Sequence, residues 1–311
     1  MLIVHRHDIV GHSKRERLVL RIMFEKREKI IYTIPVVLFI FVMVIFPIIY
    51  TVKMSFYDWD MSSTSVPSWI GLENYVSLLS DSRFWNSVWV TAYFSFSALF
   101  IETILGIAIA LLLNRKMKGS NFVKAIFLLP MVATPVAIAL VWLLIFEPSI
   151  GIANELLNNL GIDPLKWLSS PSEVIPSLVI IDVWQWTPMV TLIVMAGLTT
   201  LPKDPYESAD VDGATNWQKF IYITLPLLKQ TIAVAVILRL VDVLKAFDII
   251  YTTTQGGPSY ASETLSIYGY VISFQFFKLG MASSLIVIIF AFILLITLPL
   301  LWIRKRMEVY V

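Results

Sequence analysis

Apolar residues follow one another along this chain in runs too long for the interior of a small soluble domain. The first run covers 23 residues without a charge, and a helix needs about 20 such residues to cross the hydrocarbon layer of a bilayer. Five more runs follow it. The pattern predicts an all-α integral membrane protein with six transmembrane helices, at 30–52, 88–113, 125–146, 174–201, 231–251 and 279–303.

Composition supports this class. The 311 residues are 58% hydrophobic and 15% charged, whereas ordinary soluble domains are about half apolar and about a quarter charged. A net charge of +2 gives no indication of a nucleic-acid partner, and the lack of Cys excludes disulfides and thiolate chemistry. His5, His7 and His12 are assigned to a terminal tail. We therefore expect no catalytic residue, no metal and no cofactor.

Lys and Arg are distributed unevenly between the connections. One set of alternate connections, including both tails, holds eighteen of them, and the other set holds four. Because cytoplasmic loops carry the excess of Lys and Arg, both termini and the connection between spans four and five are expected in the cytoplasm. The expected layout is a cytoplasmic tail over 1–29, a six-span domain over 30–303 and a second cytoplasmic tail over 304–311.

No connection is long enough to hold a catalytic domain, since the longest, at 53–87, has 35 residues. The sequence also has no G-x-x-x-x-G-K-[ST] motif, which would cradle nucleotide phosphates. If ATP drives this protein, another polypeptide must hydrolyse it. The protein itself is not expected to be an enzyme.

Four charged residues of alternating sign lie inside the fifth predicted span, at three-residue steps: Arg239, Asp242, Lys245 and Asp248. Side chains three apart on a helix can touch, so one interpretation is a ladder of mutually neutralised charges. Charges at membrane depth usually face a cavity or the interior of a bundle. The other interpretation is that they line a wet pathway and bind a polar solute. Sequence leaves both open.

The fourth span adds aromatic rings, Trp184 and Trp186, close to a carboxylate, Asp182. Aromatic rings stack on the apolar faces of sugars, and a few polar groups in an apolar pocket make a ligand site. Trp186 and the charges of the fifth span would supply both. Glu102, in the second span, is a candidate partner for either cation of the fifth span.

The stretch 204–226 is a charged insertion between two spans, and its pattern predicts two short helices around a glycine. Asp204 is expected to cap the first helix, with Glu207 completing a capping box. Gly213 suits the left-handed turn that ends a helix.

The second short helix is expected to begin at Thr215, with Gln218 as the partner in another capping box. Trp217 and Phe220 give it an apolar stripe, and Pro226 is expected to end it before the fifth span. This stripe must pack either on the ends of the chain's own spans or in the groove of a partner.

The same stretch resembles a known signature. Its residues 207–214, ESADVDGA, are followed by Phe220, Ile223 and Leu225-Pro226. They are similar to the E-A-A-x-x-D-G-A-x5-F-x-x-I-x-L-P signature of the inner-membrane permease subunits of type I ATP-binding-cassette (ABC) importers. Ser208 is the one departure, a small residue in place of Ala.

Other segments resemble carbohydrate permeases of this family: FDIIY at 247–251, TQGGP at 254–258, WQWTP at 184–188 and GLENY at 71–75. The resemblance covers about residues 30–305 and is closest to the larger maltose-type subunit and the glycerol-phosphate-type permeases. The extra spans and the large external domain of the maltose subunit are lacking here.

The resemblance implies a type I permease fold in which two similar permease subunits form the pathway. An ABC ATPase dimer would lie beneath them, an extracytoplasmic sugar-binding protein would deliver the solute, and lipid would surround the spans. The signature loop would be the coupling helix: Glu207 and Asp212 would make polar contacts with the ATPase, Gly213 would provide the turn, and Ala209 and Ala214 would permit close approach. The residues expected at this contact are Glu207, Ala209, Asp212, Gly213, Ala214, Trp217 and Phe220.

The expected function is therefore that of a permease subunit for carbohydrate import. The alternative is a stand-alone secondary carrier or channel for a polar solute. Nothing in the sequence distinguishes one sugar from another.

Overall fold

The computed structural model describes residues 32–64, 66–115 and 119–308. The predicted tail over 1–29, with its three histidines, lies outside the described residues, as do the last three residues of the predicted C-terminal tail. The chain divides into two compact units, 1–54 and 55–311. The first unit contributes helix α1 (Tyr32–Met54), which matches the first predicted span and contains a π-helical turn at Phe41–Ile45.

The second unit is built almost entirely of helices. A two-residue antiparallel pair, β1 (Tyr57–Asp58) and β2 (Ser68–Trp69), precedes them. The helices are α2 (Glu73–Ser80), α3 (Ser82–Leu113), α4 (Ser120–Val132), α5 (Pro135–Ile145), α6 (Ile152–Asn159), α7 (Val174–Thr199), α8 (Asp204–Val211), α9 (Asn216–Val243), α10 (Asp248–Thr253), α11 (Leu265–Tyr270) and α12 (Leu279–Glu308).

Five helices in the described part of the chain are long and apolar enough to cross a membrane: α1, α3, α7, α9 and α12. The pair α4 and α5 makes a sixth if it is counted as one bent span. The helical membrane fold expected from the sequence is confirmed, but two of the spans are broken where a continuous helix was expected.

The third predicted span is not one helix, because α4 and α5 meet at an angle of 96°. Thr134, between them, has an extended backbone, with φ −66° and ψ 137°. A residue that precedes proline is disfavoured in the helical conformation, and Pro135 then suits the first position of a new helix because its missing N–H is not needed there.

The fifth predicted span is displaced toward the N-terminus. Helix α9 begins at Asn216, runs through Pro226 and ends at Val243, so the expected stop at Pro226 and the expected end near Tyr251 are both wrong. A π-helical segment, Phe220–Thr224, directly precedes the proline region, and the N–H of Leu225 bonds to the carbonyl of Phe220. This wider turn accommodates the proline without ending the helix.

Helix α7 is the centre of the packing, in contact with α3, α4 and α9. Two glycines allow the close approaches. A Cβ on Gly106 would lie 2.6 Å from Cγ1 of Val190, and one on Gly197 would lie 2.7 Å from Cγ2 of Thr231. Small residues commonly let membrane helices pack this closely.

Replacing Gly197 by Ala is expected to cost about 1–3 kcal/mol of stability through overpacking, because the new Cβ would meet both Cγ2 and Oγ1 of Thr231. Thr231→Ala removes both of these atoms. Adding Gly197→Ala to the Thr231→Ala variant should therefore lower its stability much less than Gly197→Ala lowers that of the wild type. Thermal unfolding of the purified protein in detergent measures the effect, and Ala196→Leu, at an exposed neighbour, is the control. An unchanged unfolding temperature for Gly197→Ala would contradict this packing.

Candidate functional site

A cavity of about 290 Å³ lies where the two broken spans meet. Pro135, at the start of α5, lines it together with Phe247 and Asp248 from the break between α9 and α10. The α10 and α5 helices pack against each other, which brings the two breaks to the same place. Broken membrane helices with their backbone facing a cavity are a common way to form solute sites in transporters.

The other walls of the cavity come from α3, α7 and α9. These helices contribute Phe94, Asp182, Trp186, Arg239 and Asp242, and Lys245 follows the end of α9. Of the six residues that sequence analysis named for a solute pathway, five therefore line one cavity.

A buried ion-pair triad ties these helices together beside the cavity. Nε of Arg239 donates to Oε2 of Glu102 at 2.7 Å, and its Nη2 donates to Oε1 at 3.1 Å and also to Oδ2 of Asp182. All three side chains are buried. The planar guanidinium suits this role, because its donors form a fork that matches two carboxylates at once. The ring of Trp186 lies with its centre 5.3 Å from Cζ of Arg239.

The triad corrects the ladder interpretation. Arg239 pairs with α3 and α7 and not with Asp242, so Glu102 is its partner. Among these four residues, only Lys245 and Asp242 form an ion pair three positions apart, at 3.2 Å. Both side chains are about half exposed. The carboxylate of Asp248 has no hydrogen bond or ion pair to any residue that the structure describes.

Trp184 is the pathway candidate that the structure places elsewhere. Its ring is about half exposed and lies edge-on to Trp142, with ring centres 5.8 Å apart. The two tryptophans of the W-x-W segment point in different directions because successive positions two apart on a helix do not share a face.

Sequence analysis missed five residues of the cavity wall: Phe94, Pro135, Ala246, Phe247 and Ile249. The Thr134-Pro135 dipeptide was a usable signal for the break. The sequence contained no such signal for Phe94 and Phe247, because an aromatic residue in an apolar span looks the same whether it faces a cavity or packs in the interior.

The predicted insertion at 204–226 forms α8, a turn and the first part of α9. Gly213 has a φ of +74°, the left-handed turn that was expected. Thr215 and Gln218 form the expected capping box. The expected cap at Asp204 is wrong: Lys203 occupies the cap position without a side-chain bond, and Asp204 is the first helical residue. Its carboxylate remains favourable there, because the first turn of a helix favours negative charge.

Two contacts hold this insertion together. Nζ of Lys219 lies 2.5 Å from Oδ1 of Asp210, which joins α9 to α8, and the hydroxyls of Tyr206 and Thr224 lie 3.0 Å apart. Of the residues expected to contact an ATPase, the exposed ones are Glu207, Asp212, Gly213 and Trp217, and the half-buried ones are Ala209, Ala214 and Phe220.

Replacing Arg239 by Met should cost about 3–5 kcal/mol, because two buried carboxylates would lose their cation. Unfolding temperature and the yield of monodisperse protein on size exclusion measure this. The triple variant Arg239→Met/Glu102→Gln/Asp182→Asn should recover most of the unfolding temperature and of the yield. Lys245→Met, at a half-exposed site, should leave the unfolding temperature and the yield unchanged. Wild-type behaviour of Arg239→Met would contradict a stabilising triad.

This chain is similar in sequence to membrane components of known transport systems. Residues 102–309 match the family described as binding-protein-dependent transport system inner membrane component. The chain is 38% identical over 268 residues to the trehalose/maltose transport system permease protein MalF of Thermococcus litoralis, covering 85% of this chain and 89% of the relative. It is 33% identical over 264 residues to the sulfoquinovosyl glycerol transport system permease protein SmoG of Agrobacterium fabrum, covering 85% of each.

Solved structures show the same fold. Two crystal structures of a bacterial alginate ABC transporter match with TM-scores of 0.80 and 0.78 at 25% identity, covering 92% and 90% of this chain and 99% and 96% of theirs. The second contains a periplasmic protein with bound alginate pentasaccharide. The chain therefore belongs to the binding-protein-dependent transport system inner membrane components, and it is a membrane-spanning permease subunit of an ABC importer in a prokaryotic inner membrane, with ATP hydrolysis assigned to a separate subunit.

Proposed function

We propose that this permease imports carbohydrate, forming half of a pathway that a second, homologous permease completes. An extracytoplasmic binding protein delivers the sugar, and an ABC ATPase dimer drives the cycle. The observation that carries the substrate class is that the two relatives and the transporter structures described above are named for carbohydrates: trehalose and maltose, a sulfoquinovosyl glycerol, and alginate.

The cavity supplies the chemistry that a sugar needs. The ring of Trp186 offers an apolar face, the carboxylates of Asp242 and Asp248 accept hydrogen bonds from hydroxyl groups, and Lys245 donates to hydroxyl oxygens. At about 290 Å³ the cavity lies near the lower end of the range for ligand pockets, about 300–1,000 Å³. This chain's half of the site therefore suits one or two sugar rings.

The insertion at 204–226 is the proposed contact with the ATPase. The excess of Lys and Arg supports a cytoplasmic location for this insertion and for both termini, with proposed tails at 1–29 and 304–311 on either side of the six-span domain. Exposed Trp217 and Val211 offer apolar side chains to a groove, and Glu207 and Asp212 offer carboxylates beside them. Closure of the ATPase dimer would then move the permease subunits as rigid bodies.

A stand-alone carrier or channel is not favoured by any feature of the described residues. Such a protein would have no use for an exposed, capped insertion that carries the family signature. The carbohydrate importer accounts for both the insertion and the cavity.

Trp186→Ala is expected to lower sugar uptake at limiting substrate by roughly tenfold, since loss of one aromatic stacking surface removes a substantial share of binding. Trp184→Ala is the matched control, because that ring lies outside the cavity wall and should leave uptake within about twofold. Uptake of radiolabelled trehalose into proteoliposomes containing the whole transporter measures both. Equal losses in the two variants would contradict the pathway placed here.

Gly213→Arg should abolish ATP-dependent uptake and release the ATPase during purification, because the new side chain projects from the left-handed turn of the contact surface. Gly119→Arg is a control matched in conformation. Both glycines have positive φ, +74° and +79°, and open space around the added Cβ. Co-purification of the ATPase with each variant is the readout. Retention of the ATPase by Gly213→Arg would show that the contact lies elsewhere.

A further inference from the structure

The cavity wall has more negative than positive groups. Among the described residues that line it, three carboxylates, Asp182, Asp242 and Asp248, face two cations, Arg239 and Lys245. Glu102 bonds to Arg239 from outside the wall, so the fully ionised cluster has four negative and two positive charges. With Glu102 counted as neutral, the cluster is still negative by one charge.

Both cations of the cavity wall already have carboxylate partners. Arg239 donates to two carboxylates, and its buried side chain is oriented by both. Lys245 lies 3.2 Å from a carboxylate oxygen of Asp242. An anion that approached either cation would therefore also approach a carboxylate that is paired with it.

The carboxylate of Asp248, in contrast, has no partner among the described residues. It is exposed and lies at the cavity wall, in the first turn of α10. A carboxylate in this position accepts hydrogen bonds from hydroxyl groups but repels a second anion.

We propose that this cavity selects uncharged saccharides and rejects acidic ones, such as uronates and sugar phosphates. The inference rests on the proposed carbohydrate function and specifies the substrate class within it. Selection works mainly by rejection: the excess carboxylates disfavour an anion, while the same groups bind the hydroxyls of a neutral sugar. An importer of the acidic polysaccharide alginate shares this fold, so the preference proposed here rests on these side chains and not on the fold.

The test compares a neutral and an anionic probe that share one carbon skeleton, trehalose and trehalose 6-phosphate. Equilibrium dialysis of each radiolabelled probe against the purified complex of both permeases and the ATPase, without the binding protein, reports the selectivity of the membrane site alone. Wild type should bind trehalose at least about tenfold more tightly than the phosphate.

Asp242→Asn/Asp248→Asn should reduce this ratio about tenfold, mainly by strengthening binding of the phosphate. Asn keeps the size of Asp and can still accept a hydrogen bond from a sugar hydroxyl, so these changes remove mainly the charge. The control Glu155→Gln/Asp163→Asn removes the same charge outside the cavity wall and should leave the ratio unchanged.

Equal binding of the two probes by wild type, or an unchanged ratio in Asp242→Asn/Asp248→Asn, overturns the charge selection and leaves the carbohydrate function standing. If neither probe binds to the wild-type complex, the carbohydrate site itself fails, and this inference fails with it.

Discussion

The bond of Arg239 to Glu102 and Asp182 is the interaction on which the rest of the second unit depends. A charge at membrane depth is tolerated only when it is paired and turned away from lipid. Here one guanidinium meets carboxylates from two other helices, which fixes the rotation of α3, α7 and α9 about their axes. Hydrophobic packing alone would determine the rotation of these helices only weakly, since lipid tails are as apolar as the side chains of the helices.

Each of the two helix breaks receives a hydrogen bond from a neighbouring helix to a backbone carbonyl at the break. Free backbone carbonyls are costly in a bilayer unless protein or water satisfies them. The amide of Gln185 donates to the carbonyl of Ala133 at 3.4 Å, and the hydroxyl of Ser95 donates to that of Val243 at 3.3 Å. Both donors come from helices that the triad positions. Each break is therefore supported from α7 or α3, and the cavity forms between the breaks.

Local features of this fold could be predicted from sequence, and long-range ones could not. The lengths of the apolar runs predicted the number of spans but not the breaks in two of them. The capping box at Thr215 and the turn at Gly213 follow from neighbouring residues. The partners of Arg239 lie 137 and 57 residues away in the chain. A single sequence shows that such a charge needs a partner without showing which one, so the alternation of sign along the fifth span favoured the wrong neighbour.

The continuity of α9 relates the insertion to the cavity. The helix begins at Asn216, within the proposed coupling loop, and ends at Val243, one residue beyond Asp242 in the cavity wall. Its 28 residues span about 40 Å at 1.5 Å per residue. The helix is continuous along this length, with a π-helical segment at Phe220–Thr224, so it would act as a rod that carries a displacement of its first turn to the cavity. Arg239 anchors that rod to α3 and α7, which makes the triad the point where such movement would be resisted or transmitted.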